Sequence, residues 1–267
     1  MSHWYDRKGN AQHTYLDLEG EEKPTGIKQA RKNQLLPSVS GVIKTWNNTG
    51  LAIGRERALL AEAFTHRGEA EKARFTTKTL KGAFREWDVA SAAGTTIHAC
   101  LEDCLAGKTF NKTVQLPGLL SVQSRELVVP AMKATSELEM LESELILVNL
   151  AAGYAGTMDF AYKRKETPLL AGVGDFKTCK TKKGEKIRPK QGQAMQIAAY
   201  WVAYWGGENG TIGDNAEGRN VYISTTEPGR VETVTYNAEE LKRQWEAFQA
   251  CLTLWRLENN YDPRSAK

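Results

Sequence analysis

The stretch from Ala155 to Lys180, AGTMDFAYKRKETPLLAGVGDFKTCK, sets the tightest limits on the fold of this chain. Residues 156–162 read as a strand with an acid, Asp159, in its middle. A charged connection at 163–166 follows. The apolar run 169–174 then leads into Asp175-Phe176-Lys177-Thr178. Short apolar runs bounded by turn residues suit buried strands. Asp and Lys are rarely buried without partners, so two acids and a lysine at the ends of such strands require an explanation. Either they form an edge-strand ion pair, or the acids hold a metal cation and the lysine works beside it. Two carboxylates about 4 Å apart repel by roughly 4 kcal/mol at an effective dielectric near 20, and a divalent cation turns that repulsion into attraction. Oxygen-rich sites of this kind suit Mg²⁺ or Mn²⁺. Such an ion activates water and polarises a phosphoryl oxygen. A neighbouring ammonium holds the water or stabilises developing charge.

Acid-x-Lys spacing alone is weak. It recurs at Asp6-Arg7-Lys8, Glu21-Glu22-Lys23 and Glu240-Leu241-Lys242, all read as solvated surface charge. Only the 175–177 copy follows an apolar strand, with a second strand acid one hairpin earlier. The surrounding composition is ordinary for a globular chain of 267 residues, with 41% hydrophobic and 25% charged side chains. No apolar run approaches the roughly 18 residues that span a bilayer. The opening MSHWYDRKGN is too polar for a signal peptide, so no membrane partner and a cytoplasmic location are expected. The net charge of +4 permits a polyanion partner. Its distribution says more, because Lys180, Lys182, Lys183, Lys186, Arg188 and Lys190 crowd the segment directly after the acid-Lys motif. Cys100, Cys104, Cys179 and Cys251 form no paired CxxC elements, so neither a zinc ribbon nor an iron–sulfur cluster is expected.

Residues 1–34 are polar and aperiodic and read as an arm, with Trp4, Tyr5 and Tyr15 pinning it to the body. Helices are expected at 41–46 (capped by Ser38 or Ser40), 51–65, 69–87 and 91–105. On the last of these, His98 and Glu102 share a face away from Ile97 and Leu101. Gly94, one turn before His98, permits a close approach. Residues 107–120 read as a loop and 121–141 as a helix kinked before Pro130. A strand follows at 142–150 with Glu144 at its start. After the basic loop, 189–205 reads as a helix whose stripe of Gln193, Gln196, Tyr200 and Tyr204 is polar. The loop 206–218, a hairpin at 220–226 and 230–236, and a final helix from Asn237 to about Glu258 complete the pattern. Asn237 and Glu240 there form a capping-box-like start. The order of three strands and then a helix predicts an α/β (α+β) fold. Its central mixed sheet is antiparallel at first, with a crossover afterwards, and is flanked by helices.

The pieces now have an order: Gly94-x-x-x-His98 on a helix, Glu144 on a strand, Gly156-Thr157-Met158-Asp159, Asp175-Phe176-Lys177-Thr178, then Gln196-Ile197-Ala198-Ala199-Tyr200. This order resembles the PD-(D/E)XK nuclease superfamily, and within it the RecB-like branch that includes phage exonucleases and the mitochondrial genome-maintenance exonuclease. Leu36-Pro37-Ser38-Val39-Ser40 looks like the opening of that branch, so the resemblance spans about residues 35–204. Two positions depart from the superfamily's nominal pattern, both in ways common in the branch: Met158 stands where a proline precedes the first acid, and Asp175 replaces a glutamate.

The resemblance implies a restriction-endonuclease-like core with an N-terminal helical region. A single nuclease domain would cover 35–260, with a helical part at 35–141 and a catalytic core at 142–260, and a tail at 261–267. It implies His98 as a metal ligand, Asp159 and Asp175 as the central ligands, and the Phe176 backbone carbonyl as another. Lys177 would orient or activate the attacking water, and Glu144 would support the metal shell. Gln196 and Tyr200 would contact the scissile region or steady Lys177. The implied activity is Mg²⁺- or Mn²⁺-dependent hydrolysis of DNA, as a free-standing exonuclease in recombination, repair or replication, in a bacterial or phage-infected cell. A single-strand annealing or binding protein is a further expected partner. The lysine loop would hold phosphates, and Tyr200 or Tyr204 would stack an unpaired base. The alternatives are a structure-specific endonuclease and a non-catalytic nucleic-acid-binding module.

Overall fold

A computed structural model describes residues 3–46, 49–68, 72–118, 121–207 and 210–265. In chain order the elements are β1 (Trp4–Tyr5), β2 (Thr14–Leu16), β3 (Glu22–Pro24), α1 (Ile27–Lys32), β4 (Leu36–Pro37), α2 (Val39–Ile43), α3 (Thr49–Thr65), α4 (Lys72–Ala83), α5 (Arg85–Leu105), β5 (Thr113–Val114), β6 (Val122–Gln123), α6 (Arg125–Lys133), β7 (Leu138–Asn149), β8 (Tyr154–Arg164), β9 (Ala171–Cys179), α7 (Gln193–Trp205), β10 (Ala216–Ser224), β11 (Val231–Tyr236) and α8 (Ala238–Asn259). Parts of five expected segments lie outside the described residues: 1–2 of the arm, 69–71 of a helix, 119–120 and 208–209 of two loops, and 266–267 of the tail.

The central sheet has the order β11-β10-β9-β8-β7. β7, β8 and β9 are antiparallel neighbours, β10 runs parallel to β9, and β11 closes the edge antiparallel to β10. The crossover from β9 to β10 passes through α7, as a parallel pair demands. This is the mixed sheet flanked by helices that the strand order predicts. On one face, Ala161 and Val173 pack with Ile197 and Ala198 of α7 and with Phe248 and Leu252 of α8. On the other, Phe160, Phe176 and Val221 pack with Ile97 and Leu101 of α5 and Leu127 of α6.

Glycine in β9 makes room for the rings of β8. A Cβ added at Gly174 would stand 1.9 Å from Cζ of Phe160, whose ring lies 4.8 Å from that of Phe176. Gly174→Ala is therefore expected to destabilise the protein by about 1–3 kcal/mol. Thermal unfolding would show this as a melting point lower by several degrees. An unchanged midpoint would mean that the Phe160 ring yields freely.

Several expected boundaries move. The helix expected at 121–141 is only the nine residues of α6, with Pro130 inside it. Residues 138–141 join β7 instead, because Leu138 and Met140 find partners in Arg164 and Tyr162 of β8. Cross-strand pairing overrides local helix propensity there. Glu144 consequently lies inside β7 and not at its start. The expected loop 107–120 contains the short strand β5. The helices expected at 69–87 and 91–105 are divided at Phe84, so that α5 begins at Arg85. The arm is laid onto the body: β1 pairs with β4, the Trp4 ring meets Trp255 of α8 edge-on, and Trp4 and Tyr5 are buried. Both bonds of the capping box at Asn237 and Glu240 are present.

Candidate metal centre

The centre lies at a fork between two strands. β8 and β9 pair from Lys163 and Ala171 as far as Phe160 and Gly174, and the ladder stops there. Beyond that point β8 continues against β7, and β9 against β10. Asp159 and Asp175 are the next residues on either prong. Asp159 Oδ2 accepts the Phe176 N–H at 2.7 Å, so a carboxylate takes the place of the missing ladder bond. Phe176 thus contributes its amide to the centre. A role for its carbonyl rests on the resemblance alone.

α5 brings His98 to the fork, with Nδ1 3.5 Å from Asp159 Oδ2. The helix comes close because Gly94 lacks a Cβ, which would stand 3.2 Å from Thr178 Oγ1. From β7 comes Glu144. Its neighbours Ser143 and Leu145 pair with Phe160 and Met158, which sets Glu144 opposite Asp159. Glu144 itself adopts φ +50, a left-handed conformation that a non-glycine residue holds only where its surroundings over-determine it. One ligand atom each from His98, Glu144 and Asp159 lie within 4.8 Å of one another.

Asp175 is not in that cluster. It is 1% exposed, and Lys177 Nζ stands 2.7 Å from Oδ1 and 2.6 Å from Oδ2. Asn220 Nδ2 donates to Oδ2 at 3.1 Å. The resemblance pairs Asp159 with Asp175 as central ligands and gives Glu144 a supporting part. The fold groups Glu144 with Asp159 and His98, and holds Asp175 beside them against Lys177.

The electrostatics match a site that receives a cation. Burial, reinforced by Asp159, Glu102 and Asp175, pushes Glu144 up to about 7. Burial and the charge of Asp175 push Asp159 up to about 6, against the opposing pull of His98, Lys177 and the Phe176 N–H. Burial opposes the charge on Lys177, but Asp175 and Asp159 overcome it and raise its pKa. Crowded carboxylates that resist ionisation are what a divalent cation relieves. One imidazole and two carboxylates are a donor set that could hold Mn²⁺ or Mg²⁺.

Other expected residues are placed as follows. Gln196 Nε2 donates to Tyr200 Oη at 3.3 Å, so these two hold each other and not Lys177. Tyr200 is buried, and its ring fills the space a Gly156 Cβ would need. It has no free face for a base. Tyr204 is half-buried and meets Trp205 edge-on. The six basic residues of 179–190 are all exposed. Five of them, all but Lys183, line a cleft of about 760 Å³ that begins at Thr178 and reaches Gln193 and Tyr222. An adjoining cleft shares Thr178, Cys179, Lys180 and Lys190 and ends on the exposed ring of Trp87. Neither Trp87 nor Asn220 stands out in the sequence. The signal for Asn220 is an amide immediately before the apolar run Val221-Tyr222-Ile223.

Fold and site together define a mixed α/β protein with a His-Glu-Asp centre at a strand fork and a basic cleft beside it. No family model and no curated protein matches the chain. Among solved structures it is similar to the crystal structure of SSO0001 at 16% identity, over 72% of this chain and 84% of that one. The TM-score is 0.28, too slight a likeness to carry an argument. Among the described residues no helix is long and apolar enough to cross a membrane.

Proposed function

We propose that this chain is a metal-dependent deoxyribonuclease of the PD-(D/E)XK type, an exonuclease that hydrolyses phosphodiester bonds from DNA ends. The observation that carries the reading is the strand fork, where His98, Glu144 and Asp159 converge beside the Asp175–Lys177 pair. When bound, Mg²⁺ or Mn²⁺ would supply Lewis-acid polarisation of the phosphate and a more acidic water. His98, Glu144 and Asp159 would hold it, and Asp175 beside them would complete the ligand set. Lys177, kept protonated by Asp175 and Asp159, would place its ammonium where the attacking water is oriented or charge develops. The basic cleft would hold the strand by its phosphates, in the cytoplasm of a bacterial or phage-infected cell. A single-strand annealing or binding protein would be the companion of such an enzyme in recombination.

Digestion of end-labelled linear DNA against closed circles, single- and double-stranded, tests this with Mg²⁺, Mn²⁺ or EDTA. Loss of linear but not circular DNA, blocked by EDTA, is expected. Cut circles would make it an endonuclease. Salt-sensitive binding with no cleavage under either metal would make it a binding module. For the cleft, replacing Lys182, Lys186 and Arg188 with Ser is expected to weaken DNA binding. The slope of log affinity against log salt should become shallower by about 0.7–0.9 for each phosphate that the variant no longer neutralises. An unchanged slope would remove the cleft from the binding path.

A further inference from the structure

We propose that Asn220 and Tyr236 are positioning residues that hold the Asp175 carboxylate in its working orientation. The proposal rests on the reading of the fork as a metal centre. Asn220 stands on β10 in parallel register with Asp175 and is 0% exposed. A buried side-chain amide is costly unless both its ends are bonded. Here both are: Nδ2 donates to Asp175 Oδ2 at 3.1 Å, and Oδ1 accepts the Tyr236 hydroxyl at 2.9 Å.

The direction of these bonds is forced. An ionised carboxylate only accepts, so Asn220 must turn its NH₂ to Asp175. Its carbonyl then faces Tyr236, which must donate. Tyr222, two residues further along β10, donates its own hydroxyl to Gln193 Oε1 at 2.7 Å. Asp175 is therefore held on two sides, by Lys177 from its own strand and by a polar chain anchored on β10 and β11. The next residues on β10, Val221, Tyr222 and Ile223, are buried and largely apolar, so a β-branched aliphatic at 220 would serve the sheet as well. The amide is explained by the carboxylate it orients.

Asn220→Ala and Tyr236→Phe test the relay by calorimetric titration with Mn²⁺ in the absence of DNA, with melting in EDTA as the measure of fold. Outer-shell partners of metal sites typically contribute 10- to 100-fold in affinity or activity. Asn220→Ala is expected to weaken Mn²⁺ binding by that factor and to lower kcat for cleavage with little change in KM for DNA. Tyr236→Phe removes one oxygen and is expected to weaken binding about 2- to 12-fold, the range for one missing hydrogen bond. Raising Mn²⁺ should recover part of the kcat. Folded variants that bind Mn²⁺ and cleave like the parent, with or without a lower melting point, would overturn the relay and leave the nuclease reading intact. If Asn220→Ala does not fold, Tyr236→Phe decides alone. A parent chain that binds no Mn²⁺ would overturn both.

Discussion

Asp175→Asn and Lys177→Ala should each lower kcat for DNA cleavage by about 10²- to 10⁴-fold, the range for loss of a positioned proton-transfer or charge-stabilising group. The two also test a linked effect. Asp175 is 1% exposed, and the Lys177 ammonium touches both its oxygens. Lys177→Ala leaves a buried carboxylate with only the Asn220 amide, and breaking one side of a buried pair costs about 3–5 kcal/mol. The variant should therefore melt measurably lower than the parent in EDTA, as well as being inactive. Lys177→Arg keeps a cation beside Asp175 and should recover much of the stability while recovering little of the activity. The comparison is made by melting in EDTA and by initial rates on end-labelled DNA. Parental rates in Asp175→Asn or Lys177→Ala would refute the catalytic reading, and a parental melting point in Lys177→Ala would refute the buried-pair account.

Mn²⁺ should stabilise the folded protein, and more so at higher pH. At a concentration 100 times its Kd, a ligand specific to the folded state adds about 2.7 kcal/mol. For a chain of this size that is on the order of 5–10 °C in melting temperature. The pH dependence follows from the two raised carboxyls. Glu144 at about 7 and Asp159 at about 6 both lie above their unfolded values. Without a cation, the folded state therefore holds protons that the unfolded chain has already released. The stability these two groups contribute is fully present below the unfolded carboxylate range and is lost as pH rises through about 6 to 7. A bound cation needs those carboxyls ionised, so its stabilisation should grow over the same window. Glu144→Gln, an uncharged isostere, should flatten the decline in EDTA and weaken the Mn²⁺ effect. A melting point indifferent to pH between 5 and 8 in EDTA, or to Mn²⁺ at pH 8, would contradict the convergence of His98, Glu144 and Asp159 on one ion.

Much of this was legible in the chain itself. The two acid-bearing strands, the helix at α7, the terminal hairpin and the capping box at Asn237 appear where turn residues, apolar runs and cap chemistry predict them. His98 and Asp159 meet as the motif order implies. The parts that were not legible share a cause. Residues 138–141 read as helix because their local propensity is helical, and only pairing with β8 draws them into β7. Glu144 reads as the start of a strand, whereas it lies inside β7, with a left-handed backbone between two ladder pairs that sets it opposite Asp159. Tyr200 reads as a surface for a base, yet it is buried over Gly156. Asn220 and Tyr236 carry no motif at all. Local sequence sets backbone preference and the side-chain types available at each position. Cross-strand register and helix docking set which of those side chains face one another, and the stopping of the β8–β9 ladder at Phe160 and Gly174 is such a register effect. Residue chemistry therefore named Asp159, Asp175 and Lys177 at the fork, and the motif order of the resemblance added His98 and Glu144. Their division into a His-Glu-Asp cluster and a separately held Asp175 was decided by tertiary pairing, because Coulomb energies and hydrogen bonds depend on distances that only the folded sheet defines.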